Sequence, residues 1–69
     1  MLILLVASGL HAQSAESQLN AGKKAFSDGF YSVAEESFQR VVSAYPSTPQ
    51  AVEADYLVGV SRFYAGEWR

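Results

Sequence analysis

The chain contains no cysteine, one histidine, one tryptophan and two prolines in 69 residues. Without cysteine there is neither a disulfide framework nor a thiolate metal site, the usual reinforcements of a small core. Lipid anchoring through an N-terminal lipobox cysteine is excluded for the same reason. The single histidine, His11, has no second imidazole to pair with and lies in the N-terminal segment. Charge of either sign is scarce: seven acidic and five basic residues give a net −2. That balance supplies no electrostatic pull towards nucleic acid or an anionic membrane, so no nucleic-acid partner is expected. No apolar run approaches the roughly 20 residues that span a bilayer, so no transmembrane segment is expected. Phosphate-cradling glycine loops, nucleophile elbows and metal-spaced clusters are missing from the sequence. Glu53 and Asp55 stand two apart on a helical stretch and point in different directions, which disqualifies them as a catalytic carboxylate pair. Lys23-Lys24 is an ordinary pair of surface lysines. The reading is of a protein that is not an enzyme and needs no cofactor and no metal.

What the chain does have is an apolar beginning. Leu2–Ala7 is an unbroken apolar run inside MLILLVASGL, followed by small residues and the polar switch HAQSAESQ. This matches the hydrophobic and cleavage regions of a secretory signal, with cleavage expected after Ala12. The competing reading is a buried N-terminal helix or strand of the fold itself, since the basic stretch that normally opens a signal is missing. The expected organisation is a signal peptide over 1–12 and a folded region over 13–69.

Beyond Ser14 helical spacing recurs and period-two alternation does not. Ala15, Leu19, Gly22 and Phe26 share one face of a first helix, 14–28, that Asp28-Gly29 should end. A second helix, 32–45, carries Ala34, Phe38, Val41, Val42 and Tyr45 on one stripe. Ser32 and Glu35 have the form of a capping box at its start, and Pro46 stops it. Glu36 and Arg40 are spaced for an outer-face ion pair. A third helix, 49–65, opens with either Thr48 or Ser47 as its cap and Pro49 in the first turn, and Gly66 marks its expected end. Val52, Tyr56, Gly59, Val60 and Phe63 form its main stripe, and Leu57, Val58 and Tyr64 add apolar area elsewhere. Such a helix should have neighbours on two sides.

The helices repeat. Gly22 and Gly59, Phe26 and Phe63, Gly29 and Gly66, and Tyr31 and Trp68 are each 37 residues apart. The repeating unit is a helix, a glycine turn, a second helix and a proline turn. Glycine inside a helix costs about 1 kcal/mol against alanine, so Gly22 and Gly59 call for a reason, and close helix approach supplies one. Gly22, Ala25, Tyr31, Ala34, Phe38 and Pro46 stand at the mutual spacings of the tetratricopeptide repeat, which this chain resembles over 14–69. The step departs from the usual 34 residues of that motif by three, and the extra residues fall most naturally in the Tyr45–Gln50 turn and at the start of the third helix. The string YPSTPQAVEADYLVGVSRFYAGEW is similar to a subgroup of bacterial envelope proteins with lengthened repeats, including components of the Tol–Pal system and of outer-membrane assembly.

The expected fold is therefore all-α, an antiparallel helix-turn-helix solenoid of about one and a half repeats. Its packing positions would be Gly22, Ala25, Phe26, Tyr31, Ala34, Phe38, Pro46, Gly59, Phe63 and Trp68. In the stretch RFYAGEWR, Phe63 is expected in the core and Tyr64 towards a helix that would follow. Stacking of Tyr64, Trp68 and the arginines on a base, sugar or peptide is the competing account. What the resemblance implies is a protein or peptide partner bound along the surface lined by the first helix of each pair. Gln18, Asn20, Lys24, Glu53 and Asp55 are the candidates to touch it. The implied setting is the periplasm or cell envelope of a Gram-negative bacterium. Two alternatives stay open: a docking arm of a larger exported enzyme or sensor, and a structural protein that self-associates through its third helix. In either case the chain reads as the N-terminal piece of a longer protein.

Overall fold

The computed structural model describes the backbone of residues 2–67 and the side chains of 14–66. Within them the chain is all-helical: α1 (Leu2–Ser27), α2 (Tyr31–Ala44) and α3 (Pro49–Glu67). Three- and four-residue joins fold each helix back on the one before it, giving an antiparallel three-helix arrangement. α1 is longer than the 14–28 expected, running back through the apolar segment to Leu2. No proline interrupts 2–27, and its alanines, leucines and glutamines favour continuation. Among the described residues no helix is long and apolar enough to cross a membrane. The side chain of His11, the packing position Trp68 and the Tyr31–Trp68 equivalence lie outside what is described, as do the side chains around the expected cleavage point.

The turn after α1 closes as the Asp28-Gly29 pair promised. Gly29 takes φ 86°, the only positive φ among the described residues. The Phe30 amide donates to the Ala25 carbonyl at 2.9 Å and the Gly29 amide to that of Phe26 at 3.0 Å. These are the two bonds of a Schellman closure, which a glycine at this position permits without steric cost. The chain enters α2 at once. Phe30 is its cap residue, with no side-chain bond, and its carbonyl accepts from the Ala34 amide at 2.9 Å. Ser32 consequently sits inside the first turn, and the expected Ser32–Glu35 capping box does not form. The Gly29 turn and the ring contact between Phe26 and Tyr31 fix the start of α2 two residues earlier than the box requires.

The start of α3 is decided in favour of Thr48. Its Oγ1 accepts from the Ala51 amide at 3.2 Å and donates to the Tyr45 carbonyl at 2.7 Å. One hydroxyl thus caps α3 and ties down the last turn of α2, with Pro49 at the first helical position. Thr48→Ala should cost about 1 kcal/mol, within the range for lost caps, read as a lower urea midpoint with an unchanged slope. α3 then passes through Gly66, where an end was expected, and is helical to Glu67. At Gly29 the closing donors belong to residues 29 and 30; the counterpart of Phe30 is Glu67, which α3 still includes.

The core lies where α2 meets both other helices. Ala34, Phe38 and Val41 of α2 are fully buried against Leu19 of α1 and Ala51 and Ala54 of α3. Ala25, Phe26, Val42, Tyr45, Leu57 and Val58 pack around them. Gly22 is buried beneath the Phe38 ring: a Cβ built there would lie 2.5 Å from Cε1 and 2.7 Å from Cδ1. The glycine in mid-helix is the floor on which the largest core side chain rests.

α3 does not use the stripe assigned to it. It turns its small residues Ala51, Ala54 and Ser61 inwards, all buried, and leaves Val52 (75% exposed), Tyr56 (72%) and Phe63 (60%) outside. Gly59 lies on the same outer side, with nothing within 4 Å of a built Cβ. Phe63 and Gly59 are therefore not packing positions of the described structure. Small side chains let α3 approach α2 and α1 closely, and that approach decides which face turns in. Tyr64, expected towards a helix that would follow, rests on Phe26 and Tyr31 with part of its ring still exposed.

Candidate interaction surface

The side chains that could meet a partner are placed by two devices, ion pairs across helices and a ring cluster at one end. Lys23 Nζ of α1 reaches Glu53 Oε2 of α3 at 2.7 Å, joining those two helices directly. Arg62 of α3 grips Glu35 of α2, its Nε at 3.0 Å and Nη2 at 2.8 Å from one carboxylate oxygen. Glu35, released from capping, also accepts from Gln39 Nε2 at 3.4 Å. Lys24 pairs with Asp28 at 3.1 Å in the last turn of α1, a favourable place for a cation. The anticipated Glu36–Arg40 pair is not among the ion pairs of the described residues. All three pairs are solvated at one end or both, so each contributes no more than about 1 kcal/mol and acts mainly to fix orientation.

At the Gly29 end, Phe26, Tyr31 and Tyr64 form a three-helix ring cluster. Phe26 meets Tyr31 edge-on at 5.0 Å and Tyr64 edge-on at 5.4 Å, and Tyr31 stacks on Tyr64 at 5.4 Å. Phe63 touches the cluster only through the edge of Tyr64, at 5.6 Å. Tyr31 and Phe26 pack against each other and against Tyr64, a partner that periodicity had assigned elsewhere. Pro46, also expected to pack, is exposed and borders a shallow groove with Val42, Ala51, Val52 and Asp55.

The five candidate partner-binding residues do not form one cluster. Gln18 is half-buried in a trough between α1 and α2, beside Glu36, Gln39, Arg40, Ser43, Ala44 and Tyr45. That trough holds about 520 Å³, a ligand-pocket volume, but it is wide open, whereas small-molecule sites enclose most of their ligand. Asp55 borders the other groove, beside Pro46. Glu53 and Lys24 are engaged in the ion pairs above, and Asn20 is exposed on α1. Lys23 and Glu53 are polar residues that meet where α1 and α3 adjoin. Lys23, which nothing in the local pattern favours over Lys24, is the lysine that reaches across. Among the described residues no three histidine, aspartate or glutamate side chains stand close enough to hold a metal ion.

Comparison with known proteins adds no relative. No family model, curated protein or solved structure matches this chain. What can be said of its function rests on the helices and the surfaces they present.

Proposed function

We propose that this chain is a protein-interaction scaffold made of tetratricopeptide-like helix pairs, exported to the cell envelope. The observation that carries the reading is the seating of Phe38 on Gly22. A ring from the second helix over a glycine of the first is what the motif spacing asks for, and it gives the mid-helix glycine its physical reason. The Lys23–Glu53 bridge supports the same reading, because it holds the first helix of one unit beside the first helix of the next. Those first helices, α1 and α3, would form the wall along which a protein or peptide partner lies, with Asn20 and Glu53 exposed on them. Export is supported by the apolar run and polar switch of the first twelve residues.

The test is positional. A photo-crosslinking amino acid at Asn20 or Glu53, in the full chain expressed in a Gram-negative host, should give a discrete protein adduct identifiable by mass spectrometry. The same group at Ser43, exposed on α2, should not give that adduct. Absence of adducts from both first-helix positions would overturn the proposal.

A further inference from the structure

α3 has two faces that suit the same core. The inward one carries Ala51, Ala54 and Ser61, all buried, with Leu57 and Val58 half-buried beside them. On the opposite side stand Val52, Tyr56 and Phe63, larger side chains that are each more than half exposed. α2 offers no such choice, because Glu36, Gln39, Arg40 and Ser43 make its back polar. The face of α3 in use also holds a defect. The Ser61 hydroxyl is completely buried and has no hydrogen-bond partner among the described residues. Burying a hydroxyl unpaired is unfavourable, and turning it out to water would remove the penalty. The three exposed side chains are misplaced in the opposite sense, since burial would favour them. One movement would correct both. What holds the present orientation lies at the periphery. Arg62 grips Glu35, Glu53 meets Lys23, Tyr64 rests on Phe26 and Tyr31, and the Thr48 hydroxyl donates to the Tyr45 carbonyl.

We propose that α3 is a two-position helix. A half-turn roll about its own axis exchanges the Ala51–Ala54–Ser61 face for the Val52–Tyr56–Phe63 face against α1 and α2. In the second position the Ser61 hydroxyl is hydrated and the large side chains are buried, so the outer apolar stripe leaves the surface. The roll breaks both ion pairs, the Tyr64 ring contacts and the Thr48 tie, and it must seat bulkier residues. Those losses keep the second position the minor one, at about 0.1–10% of molecules. α1 and α2 need not part, since Phe38 stays on Gly22 throughout. Such a helix shows or hides an apolar surface without unfolding the protein. Because solvated ion pairs hold the major position, added salt shifts the balance towards the minor one.

The chain has no cysteine, so Ser61→Cys places a single, nearly isosteric thiol on the buried face. Its rate of reaction with a maleimide, in the full chain well below the melting transition, reads how often position 61 reaches water. That rate should be nearly flat at low urea, because a roll exposes little net surface. Adding Tyr56→Ser and Phe63→Ser removes the apolar gain of the second position and should slow labelling at least fivefold. Serine matches tyrosine and phenylalanine in helix propensity, and both side chains are exposed in the major position, so global stability is left alone. Arg62→Gln should speed labelling by about two- to fivefold, the worth of one solvated ion pair. Val33→Ser, an exposed apolar position on α2, should leave the rate unchanged. Ser61→Ala should raise the melting temperature by removing the unpaired hydroxyl. The proposal is overturned if the thiol reacts with the urea dependence of global unfolding, or if the double serine variant reacts as fast as its parent. It is equally overturned if Arg62→Gln leaves the rate unchanged, or if Ser61→Ala lowers the melting temperature. Crosslinking at Asn20 and Glu53 is scored separately, so the scaffold proposal stands or falls on its own result.

Discussion

Phe38→Ala should sharply lower the melting temperature of this chain or abolish its cooperative unfolding transition. Phe38 is fully exposed to neighbours and not at all to water, the largest of the completely buried side chains. It links all three helices, lying in one cluster with Leu19, Val41, Ala51 and Ala54. Truncating a buried phenylalanine costs about 3–5 kcal/mol, part in lost transfer energy and part in the cavity left behind. A chain of this length has on the order of 3–10 kcal/mol in total. Far-UV circular dichroism during heating should show the melting temperature falling by roughly 10–40 °C, or no sigmoidal transition. Phe63→Ala is the matched control. Its ring is 60% exposed, so the same chemical change should stay within about 0.5 kcal/mol. If the two substitutions proved equally costly, the inward face of α3 would have been assigned wrongly.

The second large effect is a reversal of sign between two glycines. Gly22→Ala gains about 1 kcal/mol of helix propensity but drives a methyl group to within 2.5 Å of the Phe38 ring. Carbon atoms pack best at about 3.5–4.0 Å, and the ring is enclosed, so the helices must move apart. Overpacking of this kind costs about 1–3 kcal/mol, enough to cancel the gain and leave the protein less stable. Gly59→Ala makes the same gain with no collision and should stabilise by about 1 kcal/mol. Urea titrations of the two variants should therefore move in opposite directions. Placing Gly22→Ala in a Phe38→Leu background should recover much of the loss, because the colliding ring atoms are gone. Additive losses in that pair would show that the two residues do not touch.

These sites also show what could be read from the sequence and what could not. Gly22 and Phe38 were legible because an unexplained glycine in a helix and an aromatic on the next helix answer each other. The Gly29 turn was legible because positive φ has few chemical solutions. Thr48 was one of two residues with equivalent chemistry, and only geometry selects between neighbours. The failures share a cause. Glu35 fits a local capping pattern, yet its carboxylate goes to Arg62, 27 residues away, and nothing local signals that. Phe63 is left outside and Tyr64 meets Phe26 and Tyr31 because periodicity gives the faces of a helix without saying which face meets a neighbour. Both faces of α3 carry apolar residues, and the closer approach allowed by Ala51, Ala54 and Ser61 decides between them. The candidate binding residues were chosen for being polar on first helices, a criterion too weak to separate Lys23 from Lys24. The selecting contact, Lys23 to Glu53, again spans distant parts of the chain.

The shortness of the two joins has a kinetic consequence. With residues 28–30 and 45–48 as the only connections, each helix has its main packing partner immediately next to it in the chain. Little loop entropy is lost in bringing the partners together, and topologies dominated by such near contacts fold fast. α1 and α2 can pair before α3 is ordered, since Gly22 and Phe38 belong to the first two helices alone. α3 then adds to a surface that already exists. Assembly in this order proceeds from one end, and the last helix to arrive is the one whose outer side remains open to a newcomer.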